Sequence, residues 1–184
     1  MTPAILRARG SDAADLTRIS HAAKRYWGYP EKLIRLWQRD LTVTPGFIER
    51  HPVYRAVHRG KAVGFYAVSG TGSARELEHM WVHPKYIGAG VGRALFGHLL
   101  RRLRTKEVMR LDVASDPNAA GFYRRMGARQ VGVVASKPPG RVLPLLRFTL
   151  RASGRSERRE RAPGAGRRGR HRSGPQRRRY PRQR

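Results

Sequence analysis

The 184-residue sequence contains no cysteine, few acidic residues and no long apolar run. Without cysteine, the chain can form no disulfide, no thiolate zinc site and no cysteine nucleophile. A run of about 18 apolar residues would indicate a membrane-spanning helix, but none is present, and the N-terminal segment lacks the apolar region of a signal peptide. We therefore expect a soluble cytoplasmic protein with no membrane association.

The excess of basic over acidic residues is unevenly distributed along the chain. The whole sequence has 40 Lys and Arg against 12 Asp and Glu, and residues 151–184 alone contain 14 Arg and 2 Glu. This C-terminal segment is also rich in Gly, Pro and Ser, so it cannot bury enough apolar surface to offset its loss of conformational entropy. The composition predicts one domain over residues 1–150 and a disordered Arg-rich tail over residues 151–184.

The tail suggests one possible partner. Arginine-rich segments bind nucleic acid nonspecifically, because they neutralise phosphates and release counterions. The tail has one aromatic residue, Tyr180, and no folded recognition element, so sequence-specific recognition is not supported. The alternative is a solvated extension without a role, and the main function should be sought before residue 150.

Residues 1–150 show an alternation of strand and helix patterns. Ser11 is the predicted N-cap of a helix over residues 12–27, and Pro30 the predicted first residue of a second helix ending near Leu41. A hairpin turn at residues 59–60 joins two strands. The predicted order is a strand, two helices, an antiparallel run of strands, a helix, a strand, a helix and two further strands.

The segment "WVHPKYIGAGVGRALF", residues 81–96, passes from a strand through three glycines into a helix pattern. Gly88, Gly90 and Gly92 allow positive φ and close approach of a ligand to the backbone. Free amides at a helix start and the helix dipole favour phosphate, although a tight connection that merely needs glycine would look the same. The spacing and position fit neither a dinucleotide-binding βαβ unit nor a Walker loop.

Two separated motifs in order, "MWVHPKYIGAGVGRALFGHLL" and "SDPNAAGFYRRMGA", resemble the acyl-coenzyme A binding region of the GCN5-related N-acetyltransferase (GNAT) family. The resemblance covers residues 3–150 and excludes the tail. It implies an α/β (α+β) fold with a mixed central sheet flanked by helices. It also implies acetyl-CoA as cosubstrate and the primary amine of a small molecule or peptide as acceptor, in a monomer or homodimer.

The resemblance also implies which residues hold the cofactor. The pantetheine would lie beside the backbone of Met80, Trp81 and Val82 and would bond to Asn118. The phosphates would meet the loop and helix start, namely Ile87, Gly88, Ala89, Gly90, Val91, Gly92 and Arg93. Ile87 stands where the family usually has Arg or Gln, so one polar contact near the pyrophosphate is missing, and we expect adjusted binding rather than its loss.

Acetyl transfer needs a base, because an alkylamine with a pKa near 10.4 is mostly protonated at neutral pH. Strand alternation predicts Glu76, Glu78, Met80 and Val82 on one face of a strand. By resemblance, Glu78 is the preferred base and Glu76 the second choice. The main-chain NH of Val82 is the oxyanion donor, and Tyr123 protonates or hydrogen-bonds the leaving thiolate. The alternatives are two exposed strand charges and a core tyrosine.

The acceptor side is less well defined. Tyr26, Trp27 and Tyr29 are candidates to line an amine-binding groove, although aromatic residues at a helix end often only pack. His79 and His83 lack a third ligand, so no metal is expected. Two other hypotheses stay open: a noncatalytic acyl-CoA sensor, and nucleic-acid binding through the tail.

Overall fold

The computed structural model describes residues 2–150, so the predicted tail lies outside the described residues. The helices are α1 to α6, at Ala13–Tyr26, Glu31–Leu36, Gln38–Leu41, Pro45–Arg50, Val91–Arg104 and Pro117–Arg125. The strands are β1 to β7, at Ala4–Arg7, Val53–His58, Lys61–Ser69, Ala74–Val82, Arg110–Ala114, Arg129–Ser136 and Arg141–Thr149. Short 3₁₀ turns at Gly10–Asp12 and Pro84–Tyr86 precede α1 and α5.

The strands form one seven-stranded mixed sheet in the order β1-β2-β3-β4-β5-β7-β6. All neighbours are antiparallel except β4 and β5, which run parallel. That parallel pairing covers only residues 74–76 of β4 against residues 110–112 of β5. The two strands therefore separate towards their C-terminal ends, and the sheet opens into a cleft at its centre.

Helices cover both faces of the sheet. On one face, α5 buries Val91, Leu95, Phe96 and Leu99 in a core shared with α6 and the strands. This spacing of apolar residues places them on one side of the helix. On the other face, Leu16 and other residues of α1 pack with α4 against β3. The predicted mixed sheet flanked by helices is confirmed.

The hairpin between β2 and β3 and the helix after the glycines occur where the sequence predicts them. Three local predictions were wrong. Pro30 is the N-cap of α2, which begins at Glu31, and not its first residue. The first helix begins at Ala13 with Asp12 as its N-cap, because a 3₁₀ turn occupies the predicted cap at Ser11. The second helical segment is broken at Trp37, whose buried ring is held by an indole hydrogen bond to the Lys137 carbonyl at 2.8 Å.

Within residues 2–150, no helix combines the length and the apolar character needed to cross a membrane.

Candidate active site

A cavity of about 720 Å³ occupies the cleft where β4 and β5 separate. Residues 77–82 of β4 and the start of α5 form one wall, and residues 113–116 and α6 form the other. Ala23 and Trp27, at the end of α1, close one side. The two sequence motifs therefore meet at a single cavity.

The glycine turn, residues 87–90, leads into α5 along one wall of this cavity. Gly88 and Gly90 adopt φ of +83° and +84°, a conformation that side chains rarely accept. Within residues 2–150, no oxygen accepts a hydrogen bond from the amides of Gly88, Gly90, Val91, Gly92 and Arg93. These donors stand at the positive end of a 14-residue helix, so the turn is suited to an anionic group such as phosphate.

The side chains around the glycine turn add positive charge. Arg93 at the start of α5 and Arg125 near the end of α6 are both exposed and line the cavity. Ile87 also lines it and is 39% exposed, so it offers an apolar surface next to the free amides. The polar contacts available at this end of the cavity therefore come from backbone amides and two guanidinium groups.

A β-bulge interrupts β4 at Glu78. The pairing with β3 passes from Ala67 opposite His79 to Val68 opposite Leu77, so Glu78 has no partner. The bulge puts Leu77 in the same core as Met80 and Val82 and turns Glu76 to the other face. The prediction that Glu76 shares a face with Met80 and Val82 was wrong, because strict alternation does not survive an inserted residue.

The bulge leaves Glu78 at the cavity. Its carboxylate accepts a hydrogen bond from the hydroxyl of Ser69 on β3, and the side chain lines the cavity together with Leu77 and Met80. Both glutamates are exposed, as the alternative of two exposed strand charges expects, but Glu76 pairs opposite Asp112 and is not part of the lining. Only one of the two predicted carboxylates is therefore within the cavity.

The amide of Val82 is directed into the cleft. The amide of His83 donates to the Val63 carbonyl of β3 at 2.9 Å, and alternate residues of an antiparallel strand point their amides to opposite edges. Val82, which lies opposite Gly64, therefore directs its amide away from β3, towards the side where β4 and β5 have separated. This backbone donor is available to a ligand in the cavity.

Tyr123 lies on α6 with its ring in the apolar core. It packs edge-on against Phe122 and Phe96, with ring centroids 5.2 and 6.1 Å away, and is 6% exposed. The side chain lines the cavity. Burial raises the pKa of the Tyr123 hydroxyl far above its ordinary value, so at neutral pH the hydroxyl keeps its proton and can donate a hydrogen bond.

His79 lies on the opposite face of β4 from Met80 and Val82. Its Nδ1 accepts a hydrogen bond from the indole Nε1 of Trp81 at 3.1 Å, and its ring packs edge-on against Phe47. Burial lowers the pKa of His79 to about 4, so the imidazole is neutral at physiological pH. His79 therefore supports the ring of Trp81, which lines the cavity.

The predicted aromatic groove is only partly formed. Trp27 lines the cavity and is 39% exposed, and Tyr26, at 54% exposure, packs edge-on against it at 5.2 Å. Neither Tyr26 nor Tyr29 belongs to the lining. Tyr29 instead turns towards the N-terminus of α6, where its hydroxyl lies 3.1 Å from both carboxylate oxygens of Asp116.

Asp116 is the centre of a buried polar cluster beside the cavity, which we call the Asp116 network: Lys24, Tyr29, Asp116 and Arg141. Asp116 caps α6 by accepting from the Asn118 amide at 3.0 Å, and it forms an ion pair with Lys24. The side chains of Lys24 and Asp116 are 8% and 11% exposed, and Arg141 lies 3.8 Å from the carboxylate.

The electrostatics of the network keep Asp116 charged. Burial raises the pKa of Asp116, but the hydrogen bond and charge of Lys24 outweigh it and hold this pKa below its ordinary value. The Lys24 ammonium also lies 4.5 Å above the ring of Tyr29 and 4.4 Å above that of Trp37. The network thus ties α1 and the following loop to β7 and α6.

Comparison with known proteins identifies the family. Residues 49–127 match a family model described as an acetyltransferase (GNAT) domain. This domain belongs to the GNAT family. The matched residues include the bulged strand and the glycine turn and end just after α6, so they contain both walls of the cavity.

Two curated relatives of the GNAT domain are N-acetyltransferases by name. The uncharacterized N-acetyltransferase ycf52 of Pyropia yezoensis is 29% identical over 99 residues, which are 53% of this chain and 54% of that protein. The chain thus spans about half the length of this relative. The peptidyl-lysine N-acetyltransferase YjaB of Escherichia coli (strain K12) is 26% identical over 133 residues, 63% of this chain and 86% of that protein.

The solved structures agree on the fold. The PaiA N-acetyltransferase from Thermoplasma acidophilum, solved in complex with coenzyme A, superposes with a TM-score of 0.70 at 16% sequence identity. The match covers 81% of this chain and 99% of that chain. At this identity the likeness concerns the fold alone.

The GNAT domain brings most of the predicted cofactor residues to one cavity, including Asn118 on the wall opposite the glycine turn. The sequence reasoning missed the bulge at Glu78 and the Asp116 network. A pairing between Lys24 and Asp116 has no local sequence signal, since 92 residues separate them. The Asp-Pro pair at residues 116–117 does indicate a helix cap, and it was the one available clue.

Proposed function

We propose that the chain is an acetyl-CoA-dependent N-acetyltransferase that acetylates a primary amine of a small molecule or peptide. The observation that carries this proposal is one cavity, which joins a helix start with free amides to a carboxylate, a phenol and the strand amide of Val82. This set of groups suits two reactants. The free amides suit an extended, anionic thioester, and the carboxylate suits an amine that must lose a proton. Membership of the GNAT family supports the same reaction class.

In this proposal the phosphates of acetyl-CoA bind the free amides of Gly88 and of residues 90–93, with Arg93 and Arg125 supplying charge. The pantetheine follows the cleft between β4 and β5 towards Val82, and Asn118 bonds to it from α6. Ile87 contributes no polar contact. Main-chain donors outnumber side chains at this end, so the binding depends chiefly on backbone geometry.

The chemistry follows from three groups at the other end of the cavity. Glu78 takes a proton from the acceptor ammonium, directly or through water, and the neutral amine attacks the thioester carbonyl carbon. The amide of Val82 stabilises the oxyanion that forms, and the C–S bond then breaks. Tyr123 gives a proton or a hydrogen bond to the leaving sulfur, and the attacking nitrogen loses its second proton, which restores the Tyr123 phenol. The products are an N-acetylated amine, free coenzyme A and the proton that Glu78 took up.

Trp27 is the residue that we propose to contact the acceptor. Its exposed ring borders the cavity on the side of α1, where an amine can enter without crossing the glycine turn. Tyr26 supports that ring by edge-on packing. The name of the E. coli relative adds peptidyl-lysine to the small amines and amino acids that should be tested as acceptors.

The test is acetyl-CoA turnover by the full chain, measured as free thiol released, against a panel of primary amines and lysine-containing peptides. We expect amine-dependent turnover that Glu78→Gln and Tyr123→Phe each reduce by about 10² to 10⁴-fold. Glu49→Gln, an exposed carboxylate on α4, is the matched control and should leave turnover unchanged.

Three results would change the proposal. A loss of turnover with Glu76→Gln in place of Glu78→Gln would assign the base to Glu76. Binding of acetyl-CoA without turnover of any amine would favour an acyl-CoA sensor over an enzyme. No binding of acetyl-CoA would overturn the proposal altogether.

A further inference from the structure

We propose that Tyr29 is a positioning residue that turns the side-chain amide of Asn118 so that its carbonyl oxygen faces the cavity. This inference rests on the proposed function and concerns how the cavity holds the pantetheine arm. It reassigns Tyr29, which sequence reasoning places on the acceptor side, to the support of the cofactor side.

The argument begins with the direction of the hydrogen bonds around Tyr29. Asp116 is ionised and can only accept, so the hydroxyl of Tyr29, 3.1 Å from both of its oxygens, must donate its single proton there. The lone pairs of that hydroxyl are then left to accept. The Asn118 Nδ2 lies 3.3 Å away and donates to it.

The same logic fixes Asn118. Its NH₂ group is held at Tyr29, so its Oδ1 is the part of the amide left for a ligand in the cavity that Asn118 lines. If the amide were reversed, two oxygens with lone pairs would face each other at Tyr29 and a donor would face the ligand. The network therefore selects one of the two amide orientations.

The negative charge of Asp116 fixes the direction of the hydrogen bonds from Asn118 to Tyr29 and from Tyr29 to Asp116. The carboxylate is held by the Lys24 ammonium, by the backbone amide of Asn118 at 3.0 Å and by Arg141 at 3.8 Å. Arg141 also approaches the hydroxyl of Tyr29 at 3.5 Å as a second donor. Every charged group around Tyr29 thus requires its hydroxyl to donate to Asp116 and to accept from its other neighbours.

An exposed carbonyl oxygen at Asn118 selects a ligand that carries an N–H donor. The pantetheine arm of coenzyme A contains two secondary amides, each with an N–H donor. In the proposed function the nucleotide end lies at the glycine turn, on the wall opposite Asn118. The orientation of Asn118 should therefore affect ligands with the pantetheine arm and should not affect ligands that consist of the nucleotide alone.

Tyr29→Phe tests this inference, because it removes only the hydroxyl. The ring, which packs edge-on against Trp37 at 5.1 Å and beneath Lys24, is retained. Tyr29 does not line the cavity, so the variant deletes no direct contact with a ligand there. Tyr54→Phe, on β2 and stacked on Tyr66, is the matched control.

The measurement is calorimetric titration of the full chain with coenzyme A and, separately, with adenosine 3′,5′-bisphosphate. For Tyr29→Phe we expect coenzyme A to bind about three- to tenfold more weakly, with no change for the bisphosphate. Tyr54→Phe should bind both ligands as the wild type does. A double-mutant cycle adds Asn118→Ala, and Tyr29→Phe should cause no further loss in that background.

The inference is overturned if Tyr29→Phe leaves coenzyme A binding unchanged, or weakens both ligands equally, or still lowers affinity when Asn118 is alanine. Failure of the wild type to bind either ligand is a different result, since it contradicts the proposed function itself.

Discussion

The two walls of the cavity differ in their polar groups, which are backbone amides at the glycine turn and charged side chains at the Asp116 network. The glycine turn has backbone amides without partners in the described residues, and its neighbours Ile87 and Arg93 are exposed. The Asp116 network consists of side chains whose central ion pair is buried. A wall made of free amides gains its partners when a ligand binds, whereas a wall made of paired charges is complete without one. Damage to the first should chiefly affect binding, and damage to the second should affect folding as well.

The largest expected effect comes from breaking the ion pair of the Asp116 network. Asp116→Asn keeps a residue that caps helices well but leaves the buried Lys24 ammonium without its partner. We expect a loss of about 3 to 5 kcal/mol in the free energy of unfolding, measured by urea denaturation.

Asp40→Asn is the control for that change, because Asp40 lies 3.8 Å from Lys137 in an exposed ion pair. It should change stability by less than about 1 kcal/mol. Equal effects of the two substitutions would mean that the network contributes no more than a surface ion pair.

The second prediction concerns β4, which belongs to the same wall as the glycine turn. The pKa of His79 is about 4 in the folded chain, below that of an unfolded histidine at 6.5. Between these values the unfolded chain binds the proton and the folded chain does not, so stability should fall as the pH falls from 6.5 to 4. We expect His79 to account for about 3 kcal/mol of that loss.

His79→Gln removes the titration and should flatten the dependence of the unfolding free energy on pH in this window. Urea denaturation at pH steps from 7.5 to 4 measures it. Parallel curves for the variant and the wild type would show that His79 titrates normally in the folded chain.

The third prediction tests the backbone of the glycine turn. Gly88 has a φ of +83° and open space where a Cβ would lie, so Gly88→Ala should cost about 1 to 2 kcal/mol in backbone strain alone. Coenzyme A should also bind more weakly, since relief of that strain reorients the amides. Denaturation and calorimetric titration measure the two effects.

Gly132→Ala serves as the comparison, because that glycine on β6 has equally open space and no positive φ. It should change stability by less than about 0.5 kcal/mol and leave binding unchanged. A matching loss in both variants would exclude backbone conformation as the cause.

The fourth prediction concerns Ile87, where a substitution should strengthen coenzyme A binding and not weaken it. Ile87 is exposed beside the free amides, and Ile87→Arg would add a charge-assisted donor for phosphate. We expect coenzyme A affinity to rise about three- to tenfold, with a steeper loss on adding salt. Ile87→Leu should bind as the wild type does, and a similar gain with leucine would mean that packing rather than charge limits binding.

The same contrast explains how much the sequence could predict. The glycine turn could be predicted because its glycine spacing, the end of its strand and the start of its helix all lie within residues 81–96. The order of strands and helices followed from local patterns for the same reason. The Asp116 network could not be predicted, since the contacts of Lys24 and Tyr29 with Asp116 and Arg141 span 87 to 112 positions and no local pattern selects those partners.

Local rules also failed where packing overrides them. Alternation predicted a shared face for Glu76 and Met80, but the inserted residue at Glu78 shifts the register by one. A continuous helix from Pro30 to Leu41 fits the apolar spacing, but the helix is interrupted at Trp37, whose indole bonds to the loop between β6 and β7. Both departures are adjustments of a correctly predicted element to its tertiary neighbours.

The most direct test of the central claim is a crystal structure of the full chain with coenzyme A. We expect the phosphates at the free amides of Gly88 and residues 90–93. We expect the pantetheine in the cleft between β4 and β5, with its thiol near Glu78, Val82 and Tyr123. Coenzyme A bound outside this cleft, or bound with its phosphates away from the glycine turn, would contradict the account.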